Sequence, residues 1–338
     1  MAKQWTEDKV LEMVRAFQPA CVLTAAADLD IFTLLKNEPM TAQSLSAKLG
    51  SDLRATIVLL DALTALGFLI KQKNKYIIPA QIADLLSETG CRNILPAVRH
   101  LANCHQRWLQ LAEVVKTGKP AEASPSIRGA AADRDAFIGA MNIFSTPIIS
   151  QVIDCLQPLP FQHLLDIGGA SGTWTIEFLK AAPYAKATLF DLADVIPLAQ
   201  KRITEAGLSK RVSLVAGDFY KNDLPAGADF VWLSAVTHQN SRKQNCELFA
   251  KINSALQEDG VLIIRDVVMN KSRTSPKTGA LFAVNMLVAT ESGGTYTFDE
   301  LKDDLSYAGF VEVTLLYRGE YMDSLIRAKK PPKLSFSD

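Results

Sequence analysis

The chain has 338 residues, 48% hydrophobic and 21% charged, and its 36 basic and 36 acidic side chains cancel to a formal net charge of +0. That length supplies one large domain or two ordinary ones, each with a substantial core. The charge balance argues against an overall field drawing the chain to nucleic acid or to an anionic membrane.

Taken in chain order, the start MAKQWTEDKVLEMVRAF is broken by charge and reads as neither a signal nor a transit peptide. No uninterrupted apolar run reaches the roughly 18 residues of a membrane helix. DKVLEMVRAF sets Val10, Leu11, Val14 and Phe17 at helical spacing, and CVLTAAADLDIFTLL continues the pattern after Pro19. Thr41 caps a short helix that stops at Gly50, and a second helix runs from Asp52 to Ala65 and is ended by Gly67. FLIK and KYIIP, joined by the polar turn QKN, make a small hairpin. Helix, turn, helix and hairpin outline a winged helix over residues 1–95. Its candidate recognition helix, SDLRATIVLLDALTALG, sets the single arginine Arg54 against Asp52 and Asp61 and is otherwise apolar. So hydrophobic a helix is built to be covered, by a partner subunit rather than by DNA.

Residues 96–150 read as a helical linker contributing to a substrate pocket. Helix pattern spans Arg92 to Lys116 and gives way to the Pro/Ala/Ser-rich connector TGKPAEASPSIRGAAAD. His100 and Cys104 share a helix face with His105 nearby, but no carboxylate accompanies them, so packed imidazoles are expected rather than a metal site. The five cysteines (Cys21, Cys91, Cys104, Cys155, Cys246) are scattered and never form a CxxC pair. That argues against a zinc site or a disulfide framework and for a reducing compartment. The expectation is a soluble, cytoplasmic protein that uses no metal.

Over residues 151–330 strands and helices alternate. HLLDIGG, ATLFDL, VSLVAGDF, ADFVWLSAV and GVLIIRDVV are apolar runs of strand length, separated by TWTIEFLKAAP, DVIPLAQKRITEAG and QNCELFAKINSALQ. This is the pattern of an α/β, doubly wound, Rossmann-like parallel sheet. The helix FDELKDDLSYAGF is followed by VEVTLLYR and DSLIRAKK without an intervening helix, which predicts an antiparallel hairpin at the sheet edge.

The loop LLDIGGASG puts Asp166 at a strand end before Gly168, Gly169 and Gly172. An acid there opposes a pyrophosphate and suits an ammonium or sulfonium centre. Asp191, followed by Leu192, ends the next strand, where an acid accepts hydrogen bonds from ribose hydroxyls. Asp218 with Phe219 ends the third and suits an adenine amino group and ring face. Three strand-end acids in order point to S-adenosylmethionine rather than NAD.

In LLDIGGASG, TLFDLADVI, VAGDFY, LSAVTHQNS, GVLIIRDVVMN and NMLVATESGGTYTFDELKDDLSYAGF the chain resembles, over nearly its whole length, the O-methyltransferases that include plant caffeic acid and animal acetylserotonin O-methyltransferases, and most closely their bacterial branch. The resemblance implies a homodimer formed through the N-terminal domain. It implies S-adenosylmethionine turned into S-adenosylhomocysteine, and a hydroxyl on a small molecule, expected to be aromatic, as acceptor. A phenol ionises near pH ~10 and histidine near ~6.5, so a positioned imidazole can take the hydroxyl proton.

His238 matches the family's catalytic histidine, and Asp266 falls where the family carries the acid that orients it. By residues alone a loop histidine and a capping aspartate stay equally open; the register of the motifs decides for catalysis. Ser234 and Ser145 match cofactor-side positions, and Met141 and Met286, with Phe137, match substrate-side ones.

Three departures stand out. Gln239 and Asn240 replace the usual acid and tryptophan after the histidine, which is expected to loosen one side of the cofactor pocket. The second orienting glutamate of plant relatives is missing near GGTYT. Ala170 and Ser171 replace the common Gly and Thr. Methylation at carbon or nitrogen stays open, as does a ligand-sensing DNA-binding regulator with the same two halves.

Overall fold

Thr6 starts the first helix: its Oγ1 accepts the Lys9 amide and caps α1 (Glu7–Arg15). The computed structural model describes residues 4–332, and the chain divides into a first unit of Met1–Gln106 with Ala123–Ile143 and a second of Arg107–Glu122 with Phe144–Asp338.

In the first unit α2 (Phe17–Asp28) and α3 (Ile31–Asn37) precede β1 (Met40–Thr41), α4 (Ala42–Leu49) and α5 (Leu53–Ala65). Thr41 and Asp52 cap α4 and α5 by accepting the Ser44 and Ala55 amides, and Gly50 closes α4 at φ +62. The hairpin β2 (Ile70–Gln72) and β3 (Lys75–Ile77) joins β1 in an antiparallel sheet of order β1-β3-β2, followed by α6 (Ala80–Leu86) and α7 (Leu95–Trp108). The core is Phe32, Leu45, Leu60, Leu63 and Tyr76, all buried. Each large apolar side chain so buried contributes about 1.5–3 kcal/mol. By contrast α1 buries no residue, and Val10, Leu11, Met13, Val14 and Phe17 stand exposed, as do Leu53, Ile57 and Val58 on α5. Apolar surface of this extent marks an interaction face.

The segment 96–150 is shared between the units: α8 (Leu111–Thr117) belongs to the second and most of α9 (Ala130–Ser145) to the first. The continuous helix expected from Arg92 to Lys116 breaks between Trp108 and Leu111. There the Gln110 side chain turns to the backbone of Glu122, while the Trp108 indole donates to Asn285 Oδ1 at 2.9 Å. Two helical stretches, Glu7–Asp28 and Ala130–Cys155, are long and apolar enough to cross a membrane by length and composition. Polar residues punctuate both, so neither is an uninterrupted apolar run.

The second unit continues with α10 (Ile149–Cys155), β4 (His163–Ile167), α11 (Thr173–Ala181), β5 (Lys186–Asp191), α12 (Ile196–Glu205), β6 (Val212–Ala216), β7 (Ala228–Ser234), α13 (Arg242–Ala255) and β8 (Leu256–Asp266). The short β9 (Val268–Met269) and β10 (Tyr296–Thr297) flank α14 (Lys277–Ala289); α15 (Phe298–Tyr307), β11 (Val311–Tyr317) and β12 (Ser324–Lys329) finish the unit. The main sheet has seven strands in the order β11-β12-β8-β7-β4-β5-β6. β6, β5, β4, β7 and β8 run parallel, and β12 and β11 close the edge antiparallel, as the sequence pattern predicts.

Successive residues of each central strand face opposite layers. Leu165, Ile167, Val231, Leu233, Leu262 and Ile264 pack on one side; Leu164, Phe230, Trp232 and Ile263 pack on the other with Trp174 and Phe178 of α11. Strands buried on both faces leave only their ends for chemistry. The strand order reverses between β4 and β7, and in open α/β sheets ligands bind outside the carboxyl ends at such a switch point. The loops that leave β4 and β7 there are Gly168–Gly172 and Ala235–His238.

Candidate active site

The loop after β4 is shaped by backbone demands. Gly168 takes φ +69 and donates its amide to Phe190 O at 2.8 Å, and Gly172 takes φ +78 at the start of α11. A Cβ on Gly169 would lie 2.6 Å from Leu189 Cγ and 3.0 Å from Asp166 Oδ2, so glycine alone lets the loop settle on β5. Two alanines adopt the left-handed region beside these glycines, Ala170 at φ 47 and Ala235 at φ 59. Such non-glycine backbone tends to gather at functional loops.

Asp166 is 1% exposed, and its Oδ2 accepts from Thr175 Oγ1 at 2.6 Å. Burial, with the Asp191 carboxylate adding to it, pushes its carboxyl up to about 7 against the Thr175 hydrogen bond. Asp191 accepts the Ala170 amide on Oδ2 and the Leu192 amide on Oδ1, each at 2.7 Å. Burial raises this carboxyl too, against those two bonds. Each of its oxygens keeps acceptor capacity, which suits a vicinal diol. Neither acid has a cation within ion-pair distance among the described residues. Arg202, at the far end of the loop, is occupied by the Ser171 and Thr173 hydroxyls at 2.5 and 2.7 Å. Asp218 is held below the usual carboxylate range by the Tyr220 amide and by Lys221. Phe219 packs against the core while Leu192 is half exposed.

The loop after β7 is a 3-10 turn, Thr237–Gln239, carrying the buried His238. Its Nδ1 lies 2.9 and 3.0 Å from the two oxygens of Asp266, at the end of β8. Asp266 also accepts from Thr237 Oγ1 at 2.6 Å and from the Val267 amide at 2.8 Å. Burial favours its neutral form. The neighbouring His238 and these hydrogen bonds outweigh that and hold the carboxyl below its ordinary value. An ionised Asp266 makes Nδ1 the donor and leaves Nε2 as the acceptor. Phe282 of α14 presents its ring edge-on to the imidazole, centroids 4.8 Å apart.

Of the residues expected at the site, Asp166, Asp191, Asp218, Ser234, His238 and Asp266 all sit at or just beyond carboxyl ends of parallel strands. His238 and Asp266 are in direct contact. Ser234 Oγ accepts from Arg265 Nε at 2.7 Å, and Arg265, buried over the Trp174 ring, has its guanidinium pushed down to about 10 by burial against the pull of Asp266 and Asp323. Ser145 and Met286 are buried in the second unit. Phe137 and Met141 belong to the first unit, where the Phe137 ring meets His100 edge-on.

Asn240 departs from expectation. It is fully buried and bonded to Tyr220, Asn245 and Tyr296, while the neighbouring Gln239 is exposed. Near the position of the missing plant-type glutamate, Gly294 donates to His238 O at 2.9 Å; a Cβ on Gly293 would lie 2.5 Å from that oxygen, whereas one on Gly294 would meet nothing within 4 Å. Sequence reasoning missed Thr237, Asn245 and Phe282, and it singled out Asn240 without its partners. The only local signals were the capping box Ser241–Gln244 that opens α13 and the Gly293–Gly294 pair.

The glycine loop, the strand-end acid Asp191 and the buried His238–Asp266 pair share the carboxyl edge of one sheet, an arrangement suited to a cofactor-dependent transferase. Residues 104–311 match the O-methyltransferase domain family and residues 11–90 the O-methyltransferase dimerisation domain. The chain is 29% identical to the tetracenomycin polyketide synthesis 8-O-methyl transferase of Streptomyces glaucescens, covering 95% of this chain and 96% of that one. It is 30% identical to the 3-hydroxy-5-methyl-1-naphthoate 3-O-methyltransferase of Streptomyces sahachiroi over 86% of each, and 27% identical to the L-tyrosine C(3)-methyltransferase of Streptomyces lavendulae over 85% and 82%. The fold superposes on human N-acetylserotonin methyltransferase in complex with SAM with a TM-score of 0.80 at 22% identity, covering 98% of this chain and 100% of that one.

The chain therefore belongs to the O-methyltransferase family and is an S-adenosylmethionine-dependent methyltransferase. The residues present fit that cofactor: Asp191 keeps acceptor capacity for a diol, and neither Asp166 nor Asp191 is paired with a cation among the described residues, the nearby Arg202 being occupied by Ser171 and Thr173.

Proposed function

We propose that this enzyme methylates a phenolic hydroxyl of a small aromatic molecule, with His238 as general base, and works as a homodimer through the first unit. The observation that carries the proposal is the buried His238–Asp266 pair at the switch point, 2.9 Å apart. S-adenosylmethionine would be held by Gly168, Gly169, Gly172, Asp191, Leu192, Asp218 and Phe219, with Asp166 beside the loop, and would supply the electrophilic methyl group.

His238 Nε2 takes the hydroxyl proton as the oxygen attacks. The Nδ1–H to Asp266 bond fixes the ring and stabilises the imidazolium that results. In-line attack depends on alignment, and the imidazole is held by Asp266 and packs edge-to-face with Phe282. Phe282 and Met286 give α14 an aromatic and thioether surface suited to a flat ring. The aromatic character of the acceptor is further supported by the naphthoate and tetracenomycin relatives. The apolar exposure of α1 and α5, together with the dimerisation-domain match, supports the homodimer.

The same proton removal makes a phenolate nucleophilic at its ortho carbon, and the L-tyrosine C(3)-methyltransferase relative supports that second reading. A screen of hydroxylated naphthoates, polycyclic phenols and tyrosine with methyl-labelled S-adenosylmethionine tests both. An O–CH3 resonance in the product supports hydroxyl transfer, an aryl-CH3 resonance supports transfer to carbon, and turnover of non-phenolic amines alone overturns the phenol reading.

A further inference from the structure

Asn240 raises a question the base alone does not answer: why a primary amide is fully buried two residues after His238. Buried amides persist where their groups are bonded, and these are. Asn240 Oδ1 accepts from the Tyr220 hydroxyl, and Nδ2 donates to Asn245 Oδ1 at 3.0 Å. The backbone oxygen of Asn240 accepts from the Tyr296 hydroxyl. Asn245, also fully buried, donates from Nδ2 to Thr237 O at 3.0 Å, and Thr237 Oγ1 donates to Asp266. A continuous chain of hydrogen bonds and one residue's backbone thus leads from Tyr220 through Asn240, Asn245 and Thr237 to the carboxylate that holds His238.

Its other end is the loop after β6. Tyr220 follows Asp218 and Phe219, donates its amide to Asp218 Oδ1 at 2.9 Å and packs on the Phe219 ring with centroids 4.5 Å apart. Lys251 of α13 holds the loop by its backbone, donating to Phe219 O at 2.8 Å and to Asn222 O at 3.0 Å. Tyr220 is 49% exposed as a residue, while its hydroxyl ends on a fully buried amide. A ring recruited for core packing would be buried; here the hydroxyl is the anchored part.

We propose that Tyr220 and Asn240 are positioning residues: their hydrogen bond ties the loop bearing Asp218 and Phe219 to the His238 turn, so that the base is aligned through the loop that takes the adenosine end of the cofactor. This rests on the reading of His238 as base. An apolar residue at 240 would strand the Tyr220 hydroxyl and the Asn245 amide, and the turn would lose its link to the loop.

The test uses the full-length protein with S-adenosylhomocysteine as probe and three variants. Tyr220→Phe removes one oxygen from a half-exposed residue. Asn240→Asp keeps the acceptor for Tyr220 and loses the donor to Asn245. Asn240→Leu removes both. The chain has four histidines, so with histidine ring nitrogens labelled the downfield Nδ1–H signal of His238 can be assigned by its loss in His238→Ala. The expected result is a sharp signal in the native complex, a broadened one in Tyr220→Phe and none in Asn240→Leu. S-adenosylhomocysteine affinity in Tyr220→Phe should change less than about 3-fold, because the ring remains.

On a phenol turned over in the screen, Tyr220→Phe lowers kcat about 10-fold in the native background and less than about 2-fold beside His238→Ala, the non-additivity of residues acting as one unit. An unchanged His238 signal in Tyr220→Phe, or equal losses of kcat in both backgrounds, overturns the proposal. So does a loss confined to cofactor affinity, which makes Tyr220 a cofactor contact. Full turnover by His238→Ala refutes the base reading separately, and the resonance still decides whether the link positions the ring.

Discussion

Two acids of the same sheet, Asp166 near the end of β4 and Asp266 at the end of β8, are almost equally buried, at 1% and 2% exposure. Their carboxyls nevertheless move in opposite directions. Asp166 has Thr175 as its side-chain donor and the carboxylate of Asp191 as a neighbour, and it is pushed up to about 7. Asp266 is given His238, Thr237 and the Val267 amide, and is held down. Burial is common to both; the number and charge of the donors decide which acid stays ionised. The sheet edge thus carries one acid, Asp266, whose donors favour the ionised form and another, Asp166, whose ionisation a bound cation would favour.

The largest effect that sharpens this contrast is expected from Asp266→Asn. It keeps the shape and removes the charge that sets the Nδ1–H tautomer, and kcat should fall by roughly 10²–10⁴-fold while cofactor affinity is unchanged. Steady-state kinetics on a phenol from the screen checks it; a loss under 5-fold would show that the imidazole orients without Asp266. Next, Asp191→Ala removes the acceptors for a diol and frees the Ala170 and Leu192 amides. Titration calorimetry should show S-adenosylhomocysteine binding weakened by roughly 10–100-fold, and native affinity would remove Asp191 from the cofactor site.

The smallest effect concerns stability and its sign. The pKa of Asp166 in the folded chain, about 7, lies above the ordinary carboxylate value. Its contribution is therefore most favourable below pH ~4 and is progressively lost as pH rises towards 7. Asp166→Asn should accordingly gain in melting temperature relative to the native chain between pH 4 and pH 8, by several degrees, corresponding to about 1–3 kcal/mol. Asp266 has the opposite sign: its depressed pKa stabilises the fold above the ordinary carboxylate range, and that contribution is lost as acid protonates it. A difference in melting temperature for Asp166→Asn that stays flat with pH breaks the comparison.

Much of the second unit is legible in sequence because its signals are local. Apolar runs of strand length predict the five parallel strands, and the strand-end acids mark the edge. Two features escaped for physical reasons. KTGALFAVNMLVA forms α14, but it is apolar all round and offers no polar face to set a helical period. QNCELFAKINSALQ reads as helix through Gln257, yet β8 begins at Leu256 and runs on through QEDG, with Asp259 at φ 61. At the site, His238 and Asp266 were legible through motif register, whereas Asn240 looked like a loosened pocket wall. Its partners Tyr220 and Tyr296 lie 20 and 56 positions away, and no local pattern predicts a network assembled by the fold. The first unit showed the converse: the apolar surface of α5 was visible in sequence, and the structure leaves Ile57 and Val58 of it uncovered in the single chain.

The central claim is that cofactor binding and proton removal reside in different loops of one sheet edge. The most direct measurement is His238→Ala assayed twice, for methyl transfer to an identified phenol and for S-adenosylhomocysteine affinity. The account predicts a kcat roughly 10²–10⁴-fold lower with affinity within about 2-fold of native. Native turnover, or a loss of affinity as large as the loss of rate, would contradict it.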